Sequence, residues 1–288
     1  MAPEGTRRKR SARQQELLEV SSRVREPEAV PEPSGEVMAM LIRRGFRPEI
    51  SRPALPFPEE MGEDLLDRFA GWFGHYGFRL FLRGALRKPD GFSPAETTRY
   101  LTPSQAGDYA GVLVELGAAE RLPAGLYRMK KPGAGFGETL QWYVARELRR
   151  RFGFDTAAGV LVHARGAGGD FDVVAAGEGK LLYLELKSSP PKNLAAAAAA
   201  AFWERVLLLG PDLSFFVVDT ALRLSDKVLP MLLDAAPHRY AGRRRPVHIG
   251  PPLWALTPHV YLVNGQRDLM SNIGRAIAAG LLARSPWG

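Results

Sequence analysis

The period of the hydrophobic positions changes along the chain, and that change marks its parts. Between residues 58 and 131 large apolar side chains recur at helical spacing, with Leu65, Leu66, Phe69, Trp72 and Phe73 on one face. Ser93 followed by Pro94 predicts a second short helix over 93–101, because serine caps a helix and proline suits its first turn. Thr102-Pro103 starts a third over 104–116, which Gly117 ends. The stretch AERLPAGLYRM then places a Pro-Ala-Gly turn between two short extended pieces. Beyond it the pattern predicts a helix over 138–151, strands over 159–165, 170–176 and 181–188, and a helix over 194–209. A strand over 213–219, a helix near 224–235, a strand over 259–263 and a last helix over 269–283 follow. This is α/β ordering with a central sheet.

The segment GGDFDVVAAGEGKLLYLELKSS carries the sharpest pattern. Asp170-Phe171-Asp172-Val173 alternates polar and apolar, as does Leu182 to Lys187, and period two means strands. Glu178-Gly179 suits a two-residue hairpin loop. Gly177 would then face Lys180, Asp172 would face Glu185, and Asp170 would face Lys187, with facing Cβ atoms about 4.5–5.5 Å apart. Phe171, Val173, Ala175, Leu182, Leu184 and Leu186 would fill the other face. A slip of one residue would disrupt both faces.

Composition narrows the function classes. The chain of 288 residues contains no cysteine, which removes disulfides, cysteine-ligated zinc and thiol catalysis. That absence, and an N-terminus whose charged residues precede no apolar segment, point to a reducing, cytoplasmic setting. No apolar run reaches the roughly 18 residues a membrane helix needs. Lysine plus arginine number 39 against 31 aspartate plus glutamate, a formal charge of +8 that favours polyanionic partners such as nucleic acid. Residues 1–36, rich in Arg, Glu, Pro and Ser, have too few large apolar groups to order and are expected to form a disordered tail.

Two carboxylates facing each other repel unless a cation lies between them. Hard oxygen ligands suit Mg²⁺ or Mn²⁺, and a neighbouring lysine can orient or deprotonate water or hold a phosphate oxygen. An acidic residue on one strand followed by Glu-x-Lys on the next resembles the PD-(D/E)xK, or restriction-endonuclease-like, nuclease superfamily. The match covers 136 to about 219, with Phe171 in place of the proline of the motif's name. The resemblance implies a mixed central sheet flanked by helices and metal-dependent phosphodiester hydrolysis. Asp172 and Glu185 would be ligands of Mg²⁺ (or Mn²⁺), Lys187 would position or activate water, and Glu138, on the preceding helix, would be a third metal ligand. Gln141 lies one turn after Glu138. The three helices and hairpin before this region resemble a winged helix-turn-helix domain, although the third helix carries no Arg or Lys to meet phosphates.

Other motifs carry less. Glu178-Gly179-Lys180 repeats Glu-x-Lys but sits in the turn, and the histidines at 75, 163, 238, 248 and 259 have no metal-ligand spacing. Arg239, Arg243, Arg244 and Arg245, beside Tyr240, suit a phosphate backbone. The expected organisation is a tail (1–36), a winged-helix-like domain (37–131) and a nuclease-like domain (132–288). The expected partner is nucleic acid, DNA in the first instance, with a homodimer left open. The alternative is an inactive nucleic-acid-binding or protein-interaction module that keeps the nuclease fold.

Overall fold

The computed structural model describes residues 35–131, 133–164, 167–238, 240, 246–250 and 252–283. The expected tail lies outside the described residues except at its end, where Glu36 opens a helix. Arg239, Arg243, Arg244 and Arg245 also lie outside them.

Helix α1 (Glu36–Arg43) and strand β1 (Arg47–Ile50) come first. The sequence grouped them with the helical unit, but β1 pairs antiparallel with β4, Arg47 opposite His163, and so belongs to the sheet. Its residues, Arg-Pro-Glu-Ile, are largely exposed, so no apolar alternation marked them as a strand. Helices α2 (Glu63–Phe73), α3 (Tyr76–Ala85) and α4 (Pro103–Glu115) follow, then a hairpin of β2 (Ala119–Arg121) and β3 (Tyr127–Met129). The helix expected over 93–101 is a single turn, Pro94–Glu96. The second helix is instead α3, whose buried Phe78, Phe81, Leu82 and Ala85 carry the helical period. The residues after that turn run tightly across α3, since a Cβ on Gly84 would stand 2.0 Å from the Thr97 carbonyl oxygen. Helix α4 begins as expected, in a capping box between Thr102 and Gln105.

The rest of the chain comprises α5 (Phe136–Phe152), β4 (Asp155–Ala164), β5 (Ala167–Gly177), β6 (Lys180–Lys187), α6 (Ala196–Leu209) and β7 (Leu213–Val218). It continues with α7 (Val228–Asp234), β8 (Val247–Gly250), β9 (Leu253–Thr257), β10 (Val260–Asn264) and α8 (Leu269–Leu282). One mixed sheet runs β1-β4-β5-β6-β7-β10-β9-β8. The strands from β1 to β6 pair antiparallel, β6 to β7 and β7 to β10 parallel, and the far edge antiparallel again. Among the described residues no helix is long and apolar enough to cross a membrane.

Helices cover both faces of the sheet. On one side, residues of α2 to α5 and α8 pack on Val173, Ala175, Leu182, Leu184, Leu186 and Val217. On the other, residues of α1, α6 and α7 pack on Val174, Ala176, Leu181, Tyr183, Phe216 and Val218. A sheet buried on both faces needs near-continuous apolar strands, which is how β6 and β7 read. The face expected to carry the charged groups is therefore also buried along most of its length, where Val174, Ala176, Leu181 and Tyr183 meet the second helical layer.

Candidate active site on strands β5 and β6

The hairpin between β5 and β6 turns through Glu178 (φ 52°) and Gly179 (φ 68°), the paired positive φ values of a tight two-residue loop. Pairing runs from Gly177↔Lys180 to Val173↔Leu184, the register the sequence predicts. It stops there, so Asp172 and Glu185 do not form the next rung. Phe171 and Val173, two apart, pack into opposite cores, whereas a regular strand would put them on one face. Ala158 and Val160 on β4 flip in the same way around Gly159 (φ 61°), opposite Asp172. The paired kinks free Asp172 from the ladder. Its Oδ2 accepts the Leu186 backbone N–H at 2.6 Å, and its Oδ1 accepts Gln141 Nε2 at 2.7 Å.

Glu185 is 2% exposed. Lys187 Nζ stands 2.5 Å from its Oε1, the Tyr183 hydroxyl donates to its Oε2, and Arg205 Nη1 reaches both oxygens at 3.4 Å. Tyr183, Glu185 and Lys187 alternate along β6 and share a face. Burial, then the Glu185 carboxylate, push the Asp172 pKa up to about 7, with the Leu186 N–H and Lys187 offsetting only part of the rise. Burial and Glu185 also raise Tyr183 well above the ordinary phenol range. Burial opposes the Arg205 charge, yet the combined fields of Glu185, Tyr183, Asp172 and Asp170 raise its pKa.

Lys187 thus contacts Glu185 directly, while Asp172 reaches the same strand through the Leu186 N–H and feels Glu185 and Lys187 electrostatically. Glu138 is placed differently: its carboxylate accepts the Ala54 backbone N–H, and it is Gln141, one turn on, that α5 presents to Asp172. Among the described residues no three carboxylate, histidine or cysteine side chains converge on a metal position, so Glu138 does not join Asp172 and Glu185 as the sequence expected. Those two still fit a hard divalent cation, which takes one or two carboxylates and completes its shell with water and substrate phosphate. The donor set supports that fit, since carboxylate oxygens are the hard ligands such an ion takes.

Sequence reasoning missed Arg205 and Tyr183. The signal for Arg205 was present: it and Glu204 are the only charges on α6, and Arg205 follows the buried Phe202 by three residues. Beside the site, Asp219 donates its N–H to the Lys187 carbonyl at 2.8 Å. Its carboxylate takes Arg79 Nε and Arg83 Nη2, each at 3.0 Å. Arg79 and Asp219 are fully buried, and Arg83 lies over the Phe136 ring at 4.4 Å. None of these three follows a sequence motif, because they meet only through the tertiary fold.

Compared with known proteins, the chain matches no family model and no curated protein. Among solved structures it is similar to protein VC1899 from Vibrio cholerae, with a TM-score of 0.49 and 17% identity over 84% of this chain and 61% of that one. It is also similar to Can2 from Sulfobacillus thermosulfidooxidans in complex with cyclic tetra-adenylate, with a TM-score of 0.45 and 13% identity over 88% of this chain and 62% of that one. The chain spans less than two thirds of the length of either.

Proposed function

We propose that this protein is a metal-dependent phosphodiesterase of the PD-(D/E)xK type that hydrolyses nucleic acid, with DNA as the expected substrate. One observation carries the reading. Lys187 stands 2.5 Å from the Glu185 carboxylate, while Asp172 on the neighbouring strand accepts the N–H of the residue between them. The restriction-endonuclease-like sheet and the winged-helix-like arrangement of α2 to α4 with the β2–β3 hairpin belong to the same reading.

Asp172 and Glu185 would hold Mg²⁺ or Mn²⁺, which when bound supplies Lewis-acid polarisation of the phosphate and a more acidic water. The remaining work falls to protein groups. Gln141 and the Leu186 N–H fix the orientation of Asp172, so its carboxylate arrives pre-aligned. Tyr183 does the same for Glu185 from the buried side. Lys187, partly open to solvent, orients or deprotonates the attacking water.

The test is incubation of the full chain with single- and double-stranded DNA and RNA under Mg²⁺, Mn²⁺ or chelator. Cleavage is expected with metal only, and Lys187→Ala or Asp172→Asn should lower the rate by about a thousandfold or more. The competing reading is a silent nucleic-acid-binding module. It is favoured by the two cations that already neutralise Glu185, since such a network also stabilises a strand end without chemistry. Salt-sensitive binding with no cleavage by the wild type under any metal would establish it instead.

A further inference from the structure

Arg205 is the cation of this cluster that neither the motif nor its spacing accounts for. Helix α6 returns the chain between the parallel strands β6 and β7. It therefore runs back along the sheet, and side chains on a helix lean toward its N-terminus. Arg205 is thereby aimed at the C-terminal end of β6, where Glu185 and Lys187 sit. Phe202, one turn earlier, stacks on Tyr183 at 5.9 Å and fixes the helix against the same strand.

The contact with Glu185 is unlike a structural ion pair. A guanidinium built to neutralise a carboxylate meets it with two parallel bonds near 2.8 Å, roughly the charge-assisted length. Here one nitrogen, Nη1, spans both oxygens at 3.4 Å. Among the described residues Nε and Nη2 have no further protein acceptor. Glu185 does not depend on Arg205, because Lys187 and the Tyr183 hydroxyl already engage its two oxygens. The side chain keeps 26% exposure, similar to the 28% of Lys187 on the same carboxylate, so both cations of the pair reach solvent.

We propose that Arg205 is a catalytic residue that hydrogen-bonds a non-bridging oxygen of the scissile phosphate through the donors it does not spend on Glu185. The proposal rests on the phosphodiesterase reading above. In that reaction the oxygen of water forms a bond to phosphorus, and the bond from phosphorus to the leaving sugar oxygen breaks. Water loses one proton and the leaving oxygen gains one, so a phosphomonoester and a hydroxyl result. Negative charge grows on the non-bridging oxygens along the way. A planar fork of donors fixed beside them stabilises the transition state more than the ground state.

The test compares Arg205→Gln and Arg205→Lys with the wild type in two measurements: cleavage at saturating Mn²⁺, and Mn²⁺ binding by calorimetry without substrate. Both variants are expected to lose about a hundredfold in kcat, with a smaller change in KM. Arg205→Gln should bind Mn²⁺ severalfold more tightly, because a positive charge next to a metal ligand is gone. A structural ion pair predicts the reverse: weaker Mn²⁺ binding, and a rate restored by excess metal. A kcat within twofold of wild type for either variant, or a loss that excess Mn²⁺ repairs, overturns the proposal. Should Arg205→Gln fail to fold, the charge-conserving Arg205→Lys decides alone. A wild type that binds Mn²⁺ yet cleaves no substrate overturns the parent reading, whereas a cleaving wild type with fully active variants overturns only the role of Arg205.

Discussion

At the scale of single residues, Asp172 ties the site to a measurable pH dependence. Its pKa rises from the ordinary 3.8 to about 7 in the fold, so between those values the folded protein holds a proton that the unfolded chain has released. Stability from this group is therefore fully present below about pH 4 and is lost as pH rises through about 7. Carboxylates such as Glu147 and Asp67, held low against arginines, act in the opposite sense. The Asp172 contribution must accordingly be read as a difference. Without metal, the melting temperature of the wild type should fall relative to Asp172→Asn as pH goes from 4 to 7. Adding Mg²⁺ at pH 7.5 should reverse the order, because only the wild type keeps both carboxylates. A pH-independent difference between the two proteins would show that Asp172 titrates normally. The acid itself was legible in the sequence, since alternation placed it beside the Glu-x-Lys strand. Gln141 and Arg205 were not, because a helical residue's aim depends on how its helix crosses the sheet.

At the scale of elements, the site depends on a strand that breaks its own alternation. The β5–β6 register followed from Glu178-Gly179 and from period two, and the structure keeps it as far as Val173↔Leu184. The kink at Asp172 was not visible, because it is set across the sheet by Gly159 on β4. Gly159 adopts φ 61°, and a Cβ there would approach the Ser51 hydroxyl oxygen to 2.3 Å. Gly159→Ala is expected to destabilise by about 1–3 kcal/mol from backbone strain and to weaken the proposed metal-dependent cleavage by displacing Asp172. Adding Ser51→Gly should recover part of the stability by removing the contact, but not the part due to φ. Chemical denaturation of the single and double variants would measure both, and an unchanged Gly159→Ala would mean that β4 can lose its kink freely. Strands β8 and β9 also escaped the sequence reading, since β8 is largely exposed and β9 mixes buried and half-buried positions without clean alternation.

At the scale of the whole molecule, the helical layer and the sheet share one core. The sequence divided them between residues 131 and 132, because helical periodicity reveals which face is apolar and not what covers it. The structure lays Phe73 of α2 against Phe136 and Tyr143 of α5, at 5.7 and 4.9 Å, and joins Arg146 of α5 to Glu63 and Asp67 of α2. Deeper still, Arg79 and Arg83 of α3 close on Asp219 at the end of β7. A fully buried pair is costly to break, because the surviving partner keeps an uncompensated charge. Asp219→Ala would strand two arginines and should destabilise by about 3–5 kcal/mol. If α2 to α4 and the sheet are one cooperative body, that loss must appear everywhere at once. Far-UV circular dichroism and hydrogen exchange in peptides from 63–115 and from 180–218 should then report a single shared denaturant midpoint, shifted equally by Asp219→Ala. Two midpoints in the wild type, or a variant that loosens 63–115 while β6 and β7 stay protected, would instead make the helical layer an independent unit docked on the sheet. Arg79 and Arg83 would then belong to a separable interface rather than to the frame that holds Lys187.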